Sequence, residues 1–210
     1  MFQRLLCILG CASALACTTV SAATVHVVVT DSAGKPAASA VVTLTGDAGA
    51  ASHVPLRAII DQRDEMFLPL VVAVRKGGDV VFTNNDATMH QVYSFSPVKQ
   101  FEFEIDKGEV SKPVVFDKPG VAAIGCNIHD NMVAYVFVAD APFAAVTDDK
   151  GTANLRDVPE GTWRALLWHP QARIGEKPAV VALKVGGDTT LALKIALNAA
   201  PAMRRMHKDY

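Results

Sequence analysis

The chain has 210 residues, 50% of them hydrophobic, and its 20 Lys and Arg residues nearly balance 21 Asp and Glu residues. Because a basic surface provides most of the affinity for nucleic acid, this balance argues against a nucleic-acid partner. The length is sufficient for one large domain or two small ones.

The amino-terminal segment is typical of an export signal. Arg4 provides positive charge, an apolar run follows, and residues 21–23 provide small side chains at a cleavage point. The apolar run is too short and too rich in small residues for a membrane span. We therefore predict a signal peptide at residues 1–23 and a periplasmic protein that does not span the membrane. The sequence ALAC at residues 14–17 leaves a lipoprotein anchor as an alternative.

The predicted cleavage leaves a single cysteine. Cys7, Cys11 and Cys17 all lie within residues 1–23, and only Cys126 follows them. An exported chain with one cysteine has no internal disulfide, and an exposed thiol there is open to oxidation. Cys126 is therefore expected to be buried or bound.

Short runs rich in Val, Ile and Phe predict β-strands almost throughout residues 24–198. Turn signals separate the runs, for example at Asp31–Gly34, Lys76–Asp79 and Pro119–Gly120. This spacing favours β-sandwiches over alternating strands and helices, so the predicted fold class is all-β. Residues 199–210 are predicted to be a short helix or a loose tail.

Composition divides the strand-rich part into a middle and two flanks. The middle, residues 55–141, carries most of the phenylalanines, whereas the flanks, residues 24–52 and 145–198, are strands joined by short turns. Neither flank can close a core by itself, but together they supply about six strands. We therefore predict a discontinuous β-sandwich with a second β-domain inserted in it or packed beside it.

The flanks also resemble the two ends of a carboxypeptidase-regulatory-like, or transthyretin-like, β-sandwich. Residues 27–42 resemble its opening hairpin, and the turns at residues 147–151 and 158–161 resemble its later turns. The resemblance implies that residues 24–52 and 145–198 form one sandwich.

Three soft or borderline metal ligands occur within the sequence GCNIHDNM: Cys126, His129 and Met132. A thiolate, an imidazole and a thioether together suit copper better than magnesium, calcium or a structural zinc site. Two histidines, one cysteine and a weak axial methionine form the ligand pattern of a blue-copper centre. His90, between a hydrophobic strand and the next alternating strand, can supply the second histidine.

Each residue has a simpler interpretation when it is considered alone. A buried cysteine or methionine is usually a core side chain, and a loop histidine is usually solvated. The coincidence of all three, with His90 upstream, favours a metal site. Met89 is interpreted as an extra contact or a strand-end side chain, His169 as structural, and the charged residues 61–65 as a solvated turn. The tail's Met and His residues form a loose soft-metal tract or part of a frayed helix.

Two segments resemble the cupredoxins, the plastocyanin and amicyanin family of blue copper proteins. They are VVFTNNDATMHQV, residues 80–92, and FDKPGVAAIGCNIHDNM, residues 116–132. The spacing C-x2-H-x2-M is similar to the short loop of amicyanin. The resemblance covers about residues 70–139 and implies a Greek-key β-sandwich. It also implies one copper ion with four ligands: His90, Cys126, His129 and, as the weak axial ligand, Met132.

Two features depart from the cupredoxin pattern. Gln91 follows His90 where cupredoxins often have an asparagine that ties the ligand loops together. Asp130 and Asn131 follow the loop histidine, which predicts a polar docking face where amicyanin has an apolar one. The stretch IDQRDEMFLP, residues 60–69, together with the ligand segments also resembles bacterial methylamine utilisation-type proteins, without establishing a pathway.

These features predict an exported mononuclear copper protein that transfers single electrons to a redox partner protein. It is predicted not to be an enzyme, because neither a nucleophile with a base and an oxyanion site nor a Gly-rich phosphate loop is recognisable. A periplasmic copper tolerance or delivery protein is the alternative, since it would use the same soft ligands. A third possibility is a structural or adhesion module built on the flanking sandwich.

Overall fold

The computed structural model describes residues 22–46, 50–129, 131–173 and 180–198. The described residues form sixteen strands and no helix, so the all-β prediction is confirmed, and no helix among them is long and apolar enough to cross a membrane. Nearly all of the predicted signal peptide, the predicted tail and Asp130 lie outside the described residues. The strands in chain order are β1 (Ala22–Asp31), β2 (Val41–Gly46), β3 (Arg57–Arg63), β4 (Met66–Leu68), β5 (Val71–Arg75), β6 (Gly78–Asn84), β7 (His90–Ser96), β8 (Lys99–Ile105), β9 (Val114–Phe116), β10 (Gly120–Gly125), β11 (Val133–Ala139), β12 (Phe143–Val146), β13 (Thr152–Pro159), β14 (Gly161–Trp168), β15 (Val180–Val185) and β16 (Thr189–Ile195).

Strands β3 to β11 form a central unit of two sheets. One sheet has the strand order β5-β11-β10-β7-β8, and the other has the order β4-β3-β6-β9. Successive strand residues point to opposite faces, so Val80, Phe82 and Asn84 of β6 are buried while the residues between them are partly exposed. The inward side chains of both sheets form one hydrophobic cluster, which includes Ile60 and Phe116.

The remaining strands form a flanking unit. Its strands β1 and β2 precede the central unit in the chain and form sheets with strands β12 to β16, which follow it. β1 lies between β13 and β16, and β2 lies between β12 and β14. Val27, for example, pairs with Ala153 on one side and Leu191 on the other. A separate cluster that includes Trp163 and Leu44 fills the core of this unit. The predicted residue bounds of the two domains, and the regulatory-like resemblance of the flanks, stay predictions.

The two units are joined by an apolar cluster with residues of both and by adjacent connecting segments. Trp168 of β14 packs against Tyr135 and Phe137 of β11, with ring centroids 5.9 Å and 5.6 Å apart. The incoming and outgoing connections lie side by side, since the backbone N–H of His53 donates to the carbonyl of Pro142 at 2.8 Å.

Strand pairing in the central unit brings both predicted ligand segments to one end of a sheet. The connection from β6 ends at His90, where β7 begins, and the ligand loop follows Gly125, where β10 ends. Gly125 pairs with Tyr93 of β7, and a Cβ atom at Gly125 would lie 2.5 Å from the Tyr93 ring. Glycine beside Cys126 therefore leaves space for the Tyr93 ring, which any side chain at this position would displace.

His169 is buried in the flanking unit in a neutral form, consistent with the structural role predicted for it. Its Nε2–H donates to the carbonyl of Ala38 at 2.9 Å, and its Nδ1 accepts the backbone N–H of Gln171 at 3.0 Å. Burial lowers the pKa of His169 below the ordinary value of 6.5, and the hydrogen bond to Ala38 offsets this only in part. A proton on Nδ1 would also break the bond from Gln171.

We expect His169 to make the folded protein less stable in acid. As the pH falls through 6.5, His169 is protonated in the unfolded chain before it is protonated in the folded chain. The free energy of unfolding therefore decreases until the pH has fallen below the lowered pKa of the folded state. His169→Gln keeps a donor and an acceptor without titrating, and should lose less stability than the wild type between about pH 8 and pH 5. Urea unfolding measures this, with the exposed His26→Gln as control. Equal decreases in the free energy of unfolding for the wild type and His169→Gln would show that His169 is not the group responsible.

Candidate metal centre

Three donor side chains from two distant segments meet at the end of the central unit. His90, Cys126 and His129 each offer one ligand atom, and these atoms all lie within 4.8 Å of one another. Cys126 Sγ lies 3.7 Å from His90 Nδ1, although the two residues are 36 positions apart in the chain. The rings of His90 and His129 have centroids 5.3 Å apart.

The ligand loop is folded tightly around the cysteine sulfur. The backbone N–H of Ile128 donates to Cys126 Sγ at 3.4 Å, and the backbone N–H of Met132 donates to the carbonyl of His129 at 3.1 Å. A donor that points to the sulfur suits a negatively charged thiolate. Cys126 and Met132 are buried and belong to the hydrophobic cluster of the central unit.

Asp86 holds the buried ring of His90. His90 Nε2 and Asp86 Oδ2 are 2.8 Å apart, so that His90 Nδ1 is the nitrogen nearer Cys126. Burial raises the pKa of Asp86, but hydrogen bonds from His90 and from the backbone N–H groups of Glu65 and Asp64 outweigh it and keep the pKa below the ordinary 3.8. The carboxylate is therefore negatively charged at neutral pH.

His129 is the more accessible of the two histidines. Its side chain is 27% exposed, whereas that of His90 is fully buried. Its Nε2 lies 3.7 Å from Glu65 Oε1, while its Nδ1 is buried and has no hydrogen-bond partner among the described residues. Buried polar atoms are normally paired. The unpaired Nδ1 of His129 is therefore available to bind a metal ion.

Gln91 links β7 to the ligand loop although it is longer than asparagine. Asn127 Nδ2 donates to Gln91 Oε1 at 2.5 Å, and Gln91 Nε2 donates to Glu102 Oε1 at 2.6 Å. Gln91 thus connects β7 to the ligand loop through Asn127, the residue directly after Cys126. These bonds restrain the loop from outside the site.

The side chains fit copper. Two imidazole nitrogens and one sulfur, brought together at the edge of an apolar core, form a soft to borderline donor set with no carboxylate in it. Three of the four predicted ligands are adjacent, and Met132 is buried in the same cluster as Cys126. The assignment of all four as copper ligands stays a prediction. Met89, considered as an extra contact, is 37% exposed.

Two residues that contact the histidines were not predicted to do so. Asp86 lies four positions before His90, and this spacing in a short connection is a signal that could have identified it. Glu65 reaches His129 only because β3 and β4 lie beside the ligand loop, and no local sequence signal indicates this contact.

Solved structures that are similar to this chain include cupredoxins and a copper enzyme. A purple cupredoxin from Nitrosopumilus maritimus is 23% identical, with a TM-score of 0.36, and covers 39% of this chain and 99% of its own. Amicyanin from Paracoccus versutus is 20% identical, with a TM-score of 0.36, and covers 47% of this chain and 97% of its own. A Cu-containing nitrite reductase from Thermus scotoductus is 23% identical, with a TM-score of 0.38, and covers 46% of this chain and 25% of its own.

Cupredoxins are thus among the structural neighbours of this chain. Each of these superpositions includes less than half of the chain. No protein-family model matches the sequence, and no curated protein matches it.

Proposed function

We propose that the protein binds one copper ion through His90, Cys126 and His129, with Met132 as a weak axial ligand, and carries single electrons. The observation that supports this most directly is the convergence of the three donor atoms within 4.8 Å. A buried cysteine by itself is usually a small hydrophobic side chain, so the two histidines beside Cys126 are what distinguish this site.

The donor types suit a one-electron carrier. When bound, copper supplies a one-electron couple between its two common oxidation states. Thiolate and thioether ligands favour Cu(I), while imidazoles serve both states. Hydrogen bonds hold His90 through Asp86 and the loop through Gln91, and restrained ligands need little rearrangement when the charge on the metal changes. The apolar surroundings of Cys126 keep water away from the sulfur.

Electron exchange is proposed at the edge of the site that includes His129. This histidine reaches the surface, and the neighbouring Ile128 and Val133 are 45% and 40% exposed. Asn131 is exposed at the same loop. A redox partner protein that docks here would meet apolar and polar groups together. The export predicted from residues 1–23 would place this exchange in the periplasm.

Electrochemical cycling of copper-loaded protein tests the proposal. We expect an intense visible band in the Cu(II) form, its loss on reduction, and its full return on reoxidation, with one copper per chain retained throughout. Absorption during potentiometric titration and metal analysis after each cycle measure these quantities. His26→Gln, which removes an exposed histidine of the flanking unit, serves as the control.

Loss of copper on each cycle would contradict electron transfer and favour copper tolerance or delivery. Failure to bind copper with the expected band would reject the metal centre itself.

A further inference from the structure

Asp86 connects His90 to a turn outside the predicted ligand segments. Its Oδ2 is 2.8 Å from His90 Nε2 and accepts the backbone N–H of Glu65 at 3.1 Å. Its Oδ1 accepts the backbone N–H of Asp64 at 2.6 Å. One carboxylate therefore binds both the buried histidine and the turn between β3 and β4.

We propose that Asp86 is a positioning residue that fixes the tautomer of His90 and, through its charge, the preference of the site for the more oxidised metal. A carboxylate only accepts hydrogen bonds, so the neutral His90 ring must carry its proton on Nε2. The lone pair of Nδ1 is then free on the side of Cys126 Sγ, 3.7 Å away. The other tautomer would place two acceptors 2.8 Å apart and direct an N–H toward the sulfur.

The connection that carries Asp86 is itself held in place. Asn84, which is buried, accepts the backbone N–H of Asp86 on its Oδ1 at 2.9 Å. Its Nδ2 donates to the carbonyls of Thr88 at 2.9 Å and Ile105 at 3.0 Å. Because both ends of this short segment are tied to Asn84, the backbone that carries Asp86 cannot shift without breaking these partly buried hydrogen bonds.

The turn between β3 and β4 is shaped to bind this carboxylate. Asp64 and Glu65 have φ values of 53° and 56°, in the left-handed region that residues other than glycine seldom adopt. In this conformation their successive N–H groups both reach Asp86. Consecutive N–H groups of this kind form an anion-binding concavity, here for an internal carboxylate.

The charge of Asp86 has a consequence for the metal, which rests on the proposed function. A carboxylate that accepts a hydrogen bond from a ligating imidazole increases the basicity of that ligand. A fixed negative charge beside the ligand stabilises Cu(II) more than Cu(I), since the former has the larger positive charge. Asp86 should therefore strengthen Cu(II) binding and lower the reduction potential.

The first test needs no copper. We expect two-dimensional ¹H–¹⁵N spectra of the apo wild type, at about pH 8 where histidines are mostly neutral, to show His90 with its proton on Nε2. Asp86→Asn, which has an amide able to donate to the ring, should lose this single tautomer. Asp61→Asn is the control, because Asp61 is a nearby carboxylate bound to Thr83, Arg63 and Asn85 and to neither histidine. A proton on Nδ1 of His90 in the wild type would overturn the proposal, and this measurement does not depend on the variant folding.

The second test uses Cu(II) and Cu(I) as probes. Asp86→Asn should weaken Cu(II) binding by about 10–100-fold, as changes to a partner of a ligating histidine do, weaken Cu(I) binding less, and raise the reduction potential. Asp61→Asn should leave the ratio of the two affinities close to that of the wild type. Equal affinity ratios in the wild type and Asp86→Asn would overturn the role of the charge. If the wild type bound no copper, the proposed function would fail, while the tautomer of His90 would still decide the positioning role.

Discussion

Replacing Cys126 with serine is expected to abolish the intense visible absorption of the Cu(II)-loaded protein. The band arises from charge transfer from thiolate to copper, and the serine hydroxyl neither ionises at neutral pH nor provides a soft donor. Serine is close to cysteine in size, so the buried position should still be filled. The measurement is the visible spectrum after addition of one equivalent of Cu(II), with circular dichroism to verify the fold.

Met132→Leu is the matched control for the cysteine variant. Leucine fills a similar volume at this buried position, but it removes the thioether without touching the thiolate. We expect this variant to keep the intense band and to change its reduction potential, because an axial ligand tunes the potential of such a site. A normal band in Cys126→Ser would show that another group provides the charge transfer.

Replacing Trp163 with alanine is expected to lower the free energy of unfolding by about 3–5 kcal/mol, the usual cost of truncating a large buried aromatic side chain. Trp163 is 1% exposed in the flanking core, and its ring centroid lies 5.4 Å from that of Phe143. Its Nε1–H donates to the carbonyl of Pro159 at 2.9 Å. In the variant this carbonyl loses its side-chain donor. Urea unfolding followed by circular dichroism measures the change.

Phe95→Ala is the control for the loss of an aromatic ring, since Phe95 is 66% exposed. Its effect should stay within about 0.5 kcal/mol, as for most surface substitutions. Trp163 belongs to a different cluster from the copper ligands, so Trp163→Ala should keep the visible band while it remains folded. If Trp163→Ala lowered the free energy of unfolding by less than about 1 kcal/mol, the flanking core would not depend on this side chain.

The strands and the donors of the ligand loop could be predicted because their signals are local. Alternating apolar residues such as Val80 and Phe82 indicate a half-buried strand by themselves. Cys126 and His129 lie three positions apart, so one loop necessarily brings them near each other. His90 is distant in the chain, and it was proposed as the second histidine from its place at the start of a predicted strand and from the resemblance of its segment to cupredoxins.

The remaining contacts depend on strand pairing that local sequence does not specify. β3 runs parallel to β6 with Gln62 opposite Asn84, and this register places the following turn beside Asp86. A shift by one residue would move the side chains of β3 to the other face. The charged residues 61–65 were interpreted as a solvated turn, and Asp64 and Glu65 do form one, but Asp61 lies on β3 and accepts the hydroxyl of Thr83.

The side-by-side connections at His53 and Pro142 restrict how the central unit can turn. A unit attached by one chain segment can rotate about that segment, whereas two adjacent attachments joined by a hydrogen bond restrict the rotation. The packing of Trp168 on Tyr135 opposes this rotation. Together, the paired connections and this packing therefore limit how far the His129 edge can move relative to the flanking unit.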